Sequence, residues 1–201
     1  MRIGIDLDNT IICYEALFRD TAVSKGLLSP TFQGTKQAVR DAIRAQSGGE
    51  ADWTALQADV YGPLIGTAPP FPGVIDFIKS AANSGHHIFI VSHKTTFAAA
   101  KPNGTNLRDA AKDWLAAQGF FTMPISMAAC DVYFCNTRAE KCQKISACDV
   151  DVFIDDLIEV FDEPDFPGQV DKILFHEQLV PTLPGVRTFN TWDAIGRAVL
   201  S

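Results

Sequence analysis

No apolar stretch in the sequence approaches the length needed to cross a bilayer. The N-terminus passes straight into a short apolar run, without the basic segment and long apolar core of a secretory signal. A cytoplasmic protein with no membrane partner is therefore expected. Positive charge is also scarce. Seventeen Lys and Arg against 24 Asp and Glu give a formal net charge of −7, which argues against a nucleic-acid polymer as partner. Any anionic substrate must then find positive charge gathered locally. The five cysteines (Cys13, Cys130, Cys135, Cys142 and Cys148) are odd in number and form no CxxC pair. This excludes the usual zinc and redox patterns and fits reduced, mostly buried small apolar residues. Internal repeats and low-complexity segments are absent. What remains is ordinary for a globular chain of 201 residues, 47% apolar and 20% charged, long enough for one domain or one domain with a sizeable insertion.

The first ten residues, MRIGIDLDNT, organise the rest. An apolar run over residues 3–5 reads as a buried strand, yet it ends in Asp6 and Asp8. Two such charges about 4 Å apart repel by roughly 4 kcal/mol at an effective dielectric near 20. A cation, a shared proton or exposure to water must offset that repulsion.

Tyr14, Leu17, Phe18, Thr21 and Ala22 then fall on one face of a helix. Val39, Ala42 and Ile43 mark a second helix, and Trp53, Leu56 and Val60 a third. The Pro/Gly-rich stretch GTAPPFPG at 66–73 ends this region. From Gly73 onwards helix and strand alternate. Strands are predicted at 88–91, 132–135, 150–154 and 172–175. Helices are predicted around Val74 to Ala81, Leu107 to Leu115, from Arg138 to about Ala147 and over 192–200. Thr137 with Glu140 supplies a capping box for the helix that carries Lys141. Such alternation implies an α/β fold with a Rossmann-like parallel sheet flanked by helices. Ligands in these sheets bind beyond the C-terminal strand ends. That rule brings together Asp6 and Asp8, then Ser92, His93 and Lys94, then Asp155 and Asp156.

Each group is commonplace alone: an aspartate or Thr10 caps a helix, a serine ends a strand, a lysine is solvated. Their convergence at three strand ends is not. Carboxylates from two strands make a hard oxygen site suited to Mg2+. A carboxylate fixed beside a phosphoryl group can attack it to form an aspartyl-phosphate. Asp8, beside an ionised partner, has its protonated form favoured, as a general acid requires. Ser92 can donate to a phosphoryl oxygen, and Lys141 can balance the charge that develops.

These residues resemble the haloacid dehalogenase (HAD) superfamily of phosphohydrolases. IGIDLDNT matches its DxDxT motif, HHIFIVS its second strand ending in Ser or Thr, TRAEK its lysine, and VDVFIDD its acidic strand end. The resemblance covers residues 1–12 and about 72–201. It implies Asp6 as nucleophile and metal ligand, and Asp8 as acid/base that binds metal through its backbone carbonyl. Ser92 and Lys141 become phosphoryl-binding groups and Asp155 a metal ligand, with Asp156 assisting through water. Lys144 competes with Lys141, and Thr10, His93, Lys94 and Glu159 are further candidates. Dehalogenase members lack the second aspartate, so Asp8 favours phosphate esters. The helical insert at 13–71 matches a small C1-type cap, with Arg19, Lys25, Arg40 and Arg44 as candidate substrate contacts. The implied function is a Mg2+-dependent phosphatase of a small phosphorylated metabolite, such as a sugar phosphate or a nucleotide. A non-catalytic HAD-scaffold binding protein and a receiver-like phosphoacceptor domain are the alternatives, and a homodimer stays open.

Overall fold

All five predicted strands form and lie side by side in parallel, and the sheet they build decides where the polar strand ends meet. The computed structural model describes residues 1–125, 127–176 and 184–201. Its strands are β1 (Arg2–Ile5), β2 (His87–His93), β3 (Val132–Cys135), β4 (Val152–Asp155), β5 (Asp171–Phe175) and β6 (Val186–Phe189). All pair in parallel, in the order β3-β2-β1-β4-β5-β6. The order reverses between β1 and β4, which is the topological switch point. Several details depart from expectation, among them β2, which runs on to His93, and the one-turn helix at Ile158–Phe161. The fourth strand starts at Val152 rather than at residue 150, and β6 is an unexpected edge strand. Its alternating Val186, Arg187, Thr188 and Phe189 are all only partly buried, so it lacks the apolar run that betrays a central strand.

Residues divide between two compact units. One comprises Met1–Ile12, Pro70–Lys94 and Ala116–Ser201 and contains the whole sheet. Its helices include α4 (Val74–Asn83), α6 (Arg138–Ala147), the one-turn α7 (Ile158–Phe161) and α8 (Trp192–Val199). On one sheet face Phe89, Val91, Phe153 and Leu174 form a core with Cys142 and Ile145 of α6 and Val160 of α7. Gly4 belongs to this face: a Cβ there would lie 2.5 Å from Cδ2 of Phe153. On the other face Phe175 packs against Phe71 and Trp192, and Trp192 against Phe77 of α4. Strand alternation explains the division, since neighbouring residues point to opposite faces.

The other unit comprises Cys13–Pro69 and Thr95–Leu115. It holds α1 (Glu15–Ser24), α2 (Lys36–Arg44), α3 (Gly49–Tyr61) and most of α5 (Leu107–Ala117). The Phe18 ring stacks on Trp53 at 5.1 Å and meets Tyr61 edge-on at 5.4 Å. Residues 95–115 are tied in by two polar links. Trp114 Nε1 donates to the Ala68 carbonyl at 2.9 Å. Asp59 of α3 accepts from Lys101 and pairs with Lys25 Nζ at 2.7 Å. Among the described residues no helix is long and apolar enough to cross a membrane.

Candidate active site

The site is built at the C-terminal ends of β1, β2 and β4, with one side chain reaching in from α6. Asp6 follows β1 directly, and its N–H donates to Ile154 O of β4 at 2.9 Å. The chain then turns tightly: the N–H groups of Ile11 and Ile12 both donate to Leu7 O at 3.0 Å. Asn9 takes a left-handed conformation, with φ of 59°, which asparagine tolerates better than other residues with a Cβ. Thr10 is fully buried, and its hydroxyl donates to Asp156 Oδ1 at 3.3 Å.

Lys141 occupies the centre. Its Nζ lies 2.6 Å from Asp6 Oδ1 and 2.6 Å from Asp155 Oδ2, and all three residues are buried. The sequence explains how it arrives there. The Thr137 hydroxyl accepts from the Glu140 N–H at 3.1 Å, and the Glu140 carboxylate accepts from the Asn136 N–H at 2.8 Å, which fixes the start of α6. Lys141, in the first turn, then faces the strand ends. Lys144 lies elsewhere, with its ammonium 4.5 Å from the centre of the Tyr133 ring. The structure thus brings Lys141, and not its competitor, to the acidic cluster.

Electrostatics follow from burial. Desolvation is the largest influence on Asp6. With the negative charges of Asp155 and Asp8 it raises the carboxyl to about 7, against the pull of Lys141. Burial also works against the charge on Lys141, but Asp155 and Asp6 outweigh it and hold the ammonium above the ordinary lysine range. Asp155 is fully buried, its Oδ1 accepting from the Leu157 N–H at 3.0 Å while Oδ2 accepts from Lys141.

Asp6, Asp155 and Asp156 can each present one oxygen within 4.8 Å of the others. The Asp8 carboxylate is engaged by Lys94, with Nζ to Oδ2 at 2.8 Å. Four carboxylates against two ammonium groups leave two negative charges unbalanced when all are ionised. That surplus, carried on hard oxygen donors, fits one divalent cation of the Mg2+ type.

At the end of β2, Ser92 is buried, and its Oγ has no hydrogen-bond partner among the described residues. A buried hydroxyl without a partner costs stability. His93 is exposed, and its Nε2 lies 2.9 Å from Asn136 O, so its ring is used in a loop contact. Lys94 is the residue that sequence reasoning undervalued. A signal was present: residues two apart along a strand share a face, so Lys94 goes with Ser92 and His93 does not.

No protein-family model matches the sequence. No curated protein matches it either. Solved structures do. A putative HAD hydrolase of Bacillus subtilis, YfnB, determined bound to magnesium, aligns at 11% identity and a TM-score of 0.59, covering 98% of this chain and 97% of that one. A HAD-superfamily hydrolase of Geobacter sulfurreducens aligns at 10% identity and 0.58, covering 98% and 95%. A dehalogenase in an intermediate complex aligns at 10% identity and 0.60, covering 100% and 97%. The chain has the HAD hydrolase fold. In open α/β sheets ligands bind beyond the carboxyl ends of the strands at such a reversal of order, and Asp6, Lys141 and Asp155 meet there. At this level of identity the fold is common to hydrolases and a dehalogenase alike, so the choice between reactions rests on this chain's own side chains.

Proposed function

We propose that this chain is a Mg2+-dependent phosphatase acting on a small phosphorylated metabolite through an aspartyl-phosphate on Asp6. The observation that carries the choice is Asp8, a second carboxylate two residues beyond the nucleophile and held there by Lys94. A halide leaves without a proton, so carbon–halogen cleavage has no use for an acid at that place. An alkoxide leaving from a phosphate ester does need one.

The chemistry then divides among named groups. One Asp6 carboxylate oxygen attacks phosphorus, the phosphorus–oxygen bond to the ester breaks, and Asp8, which for this step carries a proton on Oδ1 while Oδ2 stays against Lys94, gives that proton to the departing oxygen. Asp8 next takes a proton from water, which attacks the aspartyl-phosphate; inorganic phosphate leaves and Asp6 is regenerated. Ser92 Oγ–H donates to a phosphoryl oxygen, the partner it lacks among the described residues. Lys141 steadies the charge on Asp6 and on the phosphoryl oxygens. The ion would be held by Asp6, the Asp8 main-chain carbonyl and the acidic pair at the end of β4. When bound, Mg2+ supplies positive charge to the phosphoryl group and to the ionised carboxylates.

The test is phosphate release from sugar phosphates, nucleoside monophosphates and other small esters, with Mg2+ or with a chelator. Mg2+-dependent release that disappears in Asp6→Asn is the expected result. Halide release from a haloalkanoate with no phosphate release from any ester would overturn the proposal. Inertness towards the whole panel would instead favour a non-catalytic binding protein.

A further inference from the structure

We propose that Lys94 is a positioning residue for Asp8, setting the direction in which the acid/base carboxylate faces; this rests on the phosphatase reading above. The lysine side chain is only 2% exposed and that of Asp8 19%. Sequestering an ammonium group is costly unless a counter-charge meets it, and Asp8 Oδ2 at 2.8 Å is that charge. A buried ion pair of this kind is weak as a stabiliser, because an apolar residue of similar volume does as well or better. Its presence at the end of a catalytic strand calls for another explanation.

The surroundings supply one. The turn after β1 fixes the Asp8 backbone, because Ile11 and Ile12 both close on Leu7 O and Asn9 is left-handed. The backbone alone does not fix the side-chain torsions of Asp8. Lys94 holds one oxygen of that side chain, and it does so from a firm base: its own N–H donates to Cys135 O at 3.0 Å, which extends the β2–β3 ladder by one residue. The serine that would bind the phosphoryl group and the lysine that holds the acid thus leave the same face of one strand, two residues apart. An acid displaced by an ångström loses much of its effect, so a clamp on Asp8 has a catalytic value that its stabilising value does not explain.

The experiment compares kcat/KM for an alkyl phosphate and for a dinitrophenyl phosphate, whose leaving group needs no proton. Positioned acids contribute about 10²- to 10⁴-fold. Lys94→Met should therefore lose about a hundredfold on the alkyl ester and less than about threefold on the dinitrophenyl ester. Lys94→Arg, which keeps a cationic donor, should recover a large part of the loss. Equal loss on both esters is what a phosphate-binding or merely structural lysine would give, and it would overturn the proposal. The same comparison in Lys94→Gln covers a Lys94→Met chain that fails to fold. A crystal structure of the variant gives a readout apart from turnover: the Asp8 side chain should leave its wild-type rotamer, and an unmoved Asp8 would refute the clamp. Inactivity of the wild-type chain on both esters would overturn the phosphatase reading and with it the catalytic value of the clamp.

Discussion

Replacing Asp6 with asparagine should remove catalysis and yet make the metal-free protein more stable. The folded chain raises this carboxyl from 3.8 to about 7. Each tenfold change in proton affinity is worth about 1.4 kcal/mol, so the rise amounts to about 4 kcal/mol set against the ionised form. Between about pH 4 and pH 7 the folded chain keeps a proton that the unfolded chain has released. Stability therefore falls as pH rises across that window. Asparagine mimics the protonated side chain, does not titrate, and still offers Lys141 an oxygen. The variant should match wild type near pH 4 and gain on it up to about pH 7. For a chain of this length 1 kcal/mol shifts the melting temperature by about 2–4 °C, so the advantage at pH 8 in chelator is on the order of 10 °C. Thermal melts at pH 4.5 and pH 8 measure it. Added Mg2+ should raise the wild-type melting temperature and narrow the gap, because a ligand that binds only the folded state stabilises it. A variant that melts at or below wild type at pH 8 without metal would refute the electrostatic account of the site.

Three further outcomes are expected. Ser92→Ala removes a buried hydroxyl that lacks a partner among the described residues, so stability should be unchanged or higher by about 1 kcal/mol, while phosphate release falls about tenfold or more; undiminished release would remove Ser92 from the site. In Asp59, burial pushes the carboxyl up, but hydrogen bonds and charge from Lys101 and Lys25 outweigh it and hold the group below its ordinary range. The stabilisation is thus present above about pH 4 and disappears as pH falls through the lowered value. With both lysines nearly half exposed, Asp59→Asn should cost only about 1 kcal/mol at neutral pH. Urea unfolding at two pH values should show the difference closing in acid. Gly4→Ala drives a Cβ to 2.5 Å from the Phe153 ring and should destabilise the sheet unit by about 1–3 kcal/mol; an unchanged urea midpoint would mean that the ring yields freely.

Central features of this molecule were legible because their signals are local. The continuous apolar runs of β1, β2 and β4 announce strands buried on both faces, and Thr137 with Glu140 announces the start of α6. Together they place Asp6, Ser92, Asp155 and Lys141 before any coordinate is known. The edge strand β6 escaped notice because a half-buried strand carries half the apolar signal. The partners of Lys94 and Lys101 escaped for a different reason. Asp8 lies 86 residues before Lys94, Asp59 lies 42 before Lys101, and no periodicity encodes which lysine folds back onto which carboxylate.

The helical unit draws on two stretches of chain, and that has a consequence for its synthesis. Asp59 and Ala68 wait for Lys101 and Trp114, both encoded after β2. A nascent chain that ends at about residue 70 holds the sequence of its three helices but not their last polar and indole partners. Those two links can both form only once Trp114 has been made, by which time β1 and β2 have both been synthesised. Excising residues 13–69 as a cassette would accordingly strand Trp114 without the carbonyl it uses and leave Lys101 without its carboxylate. The two stretches would have to be transplanted together.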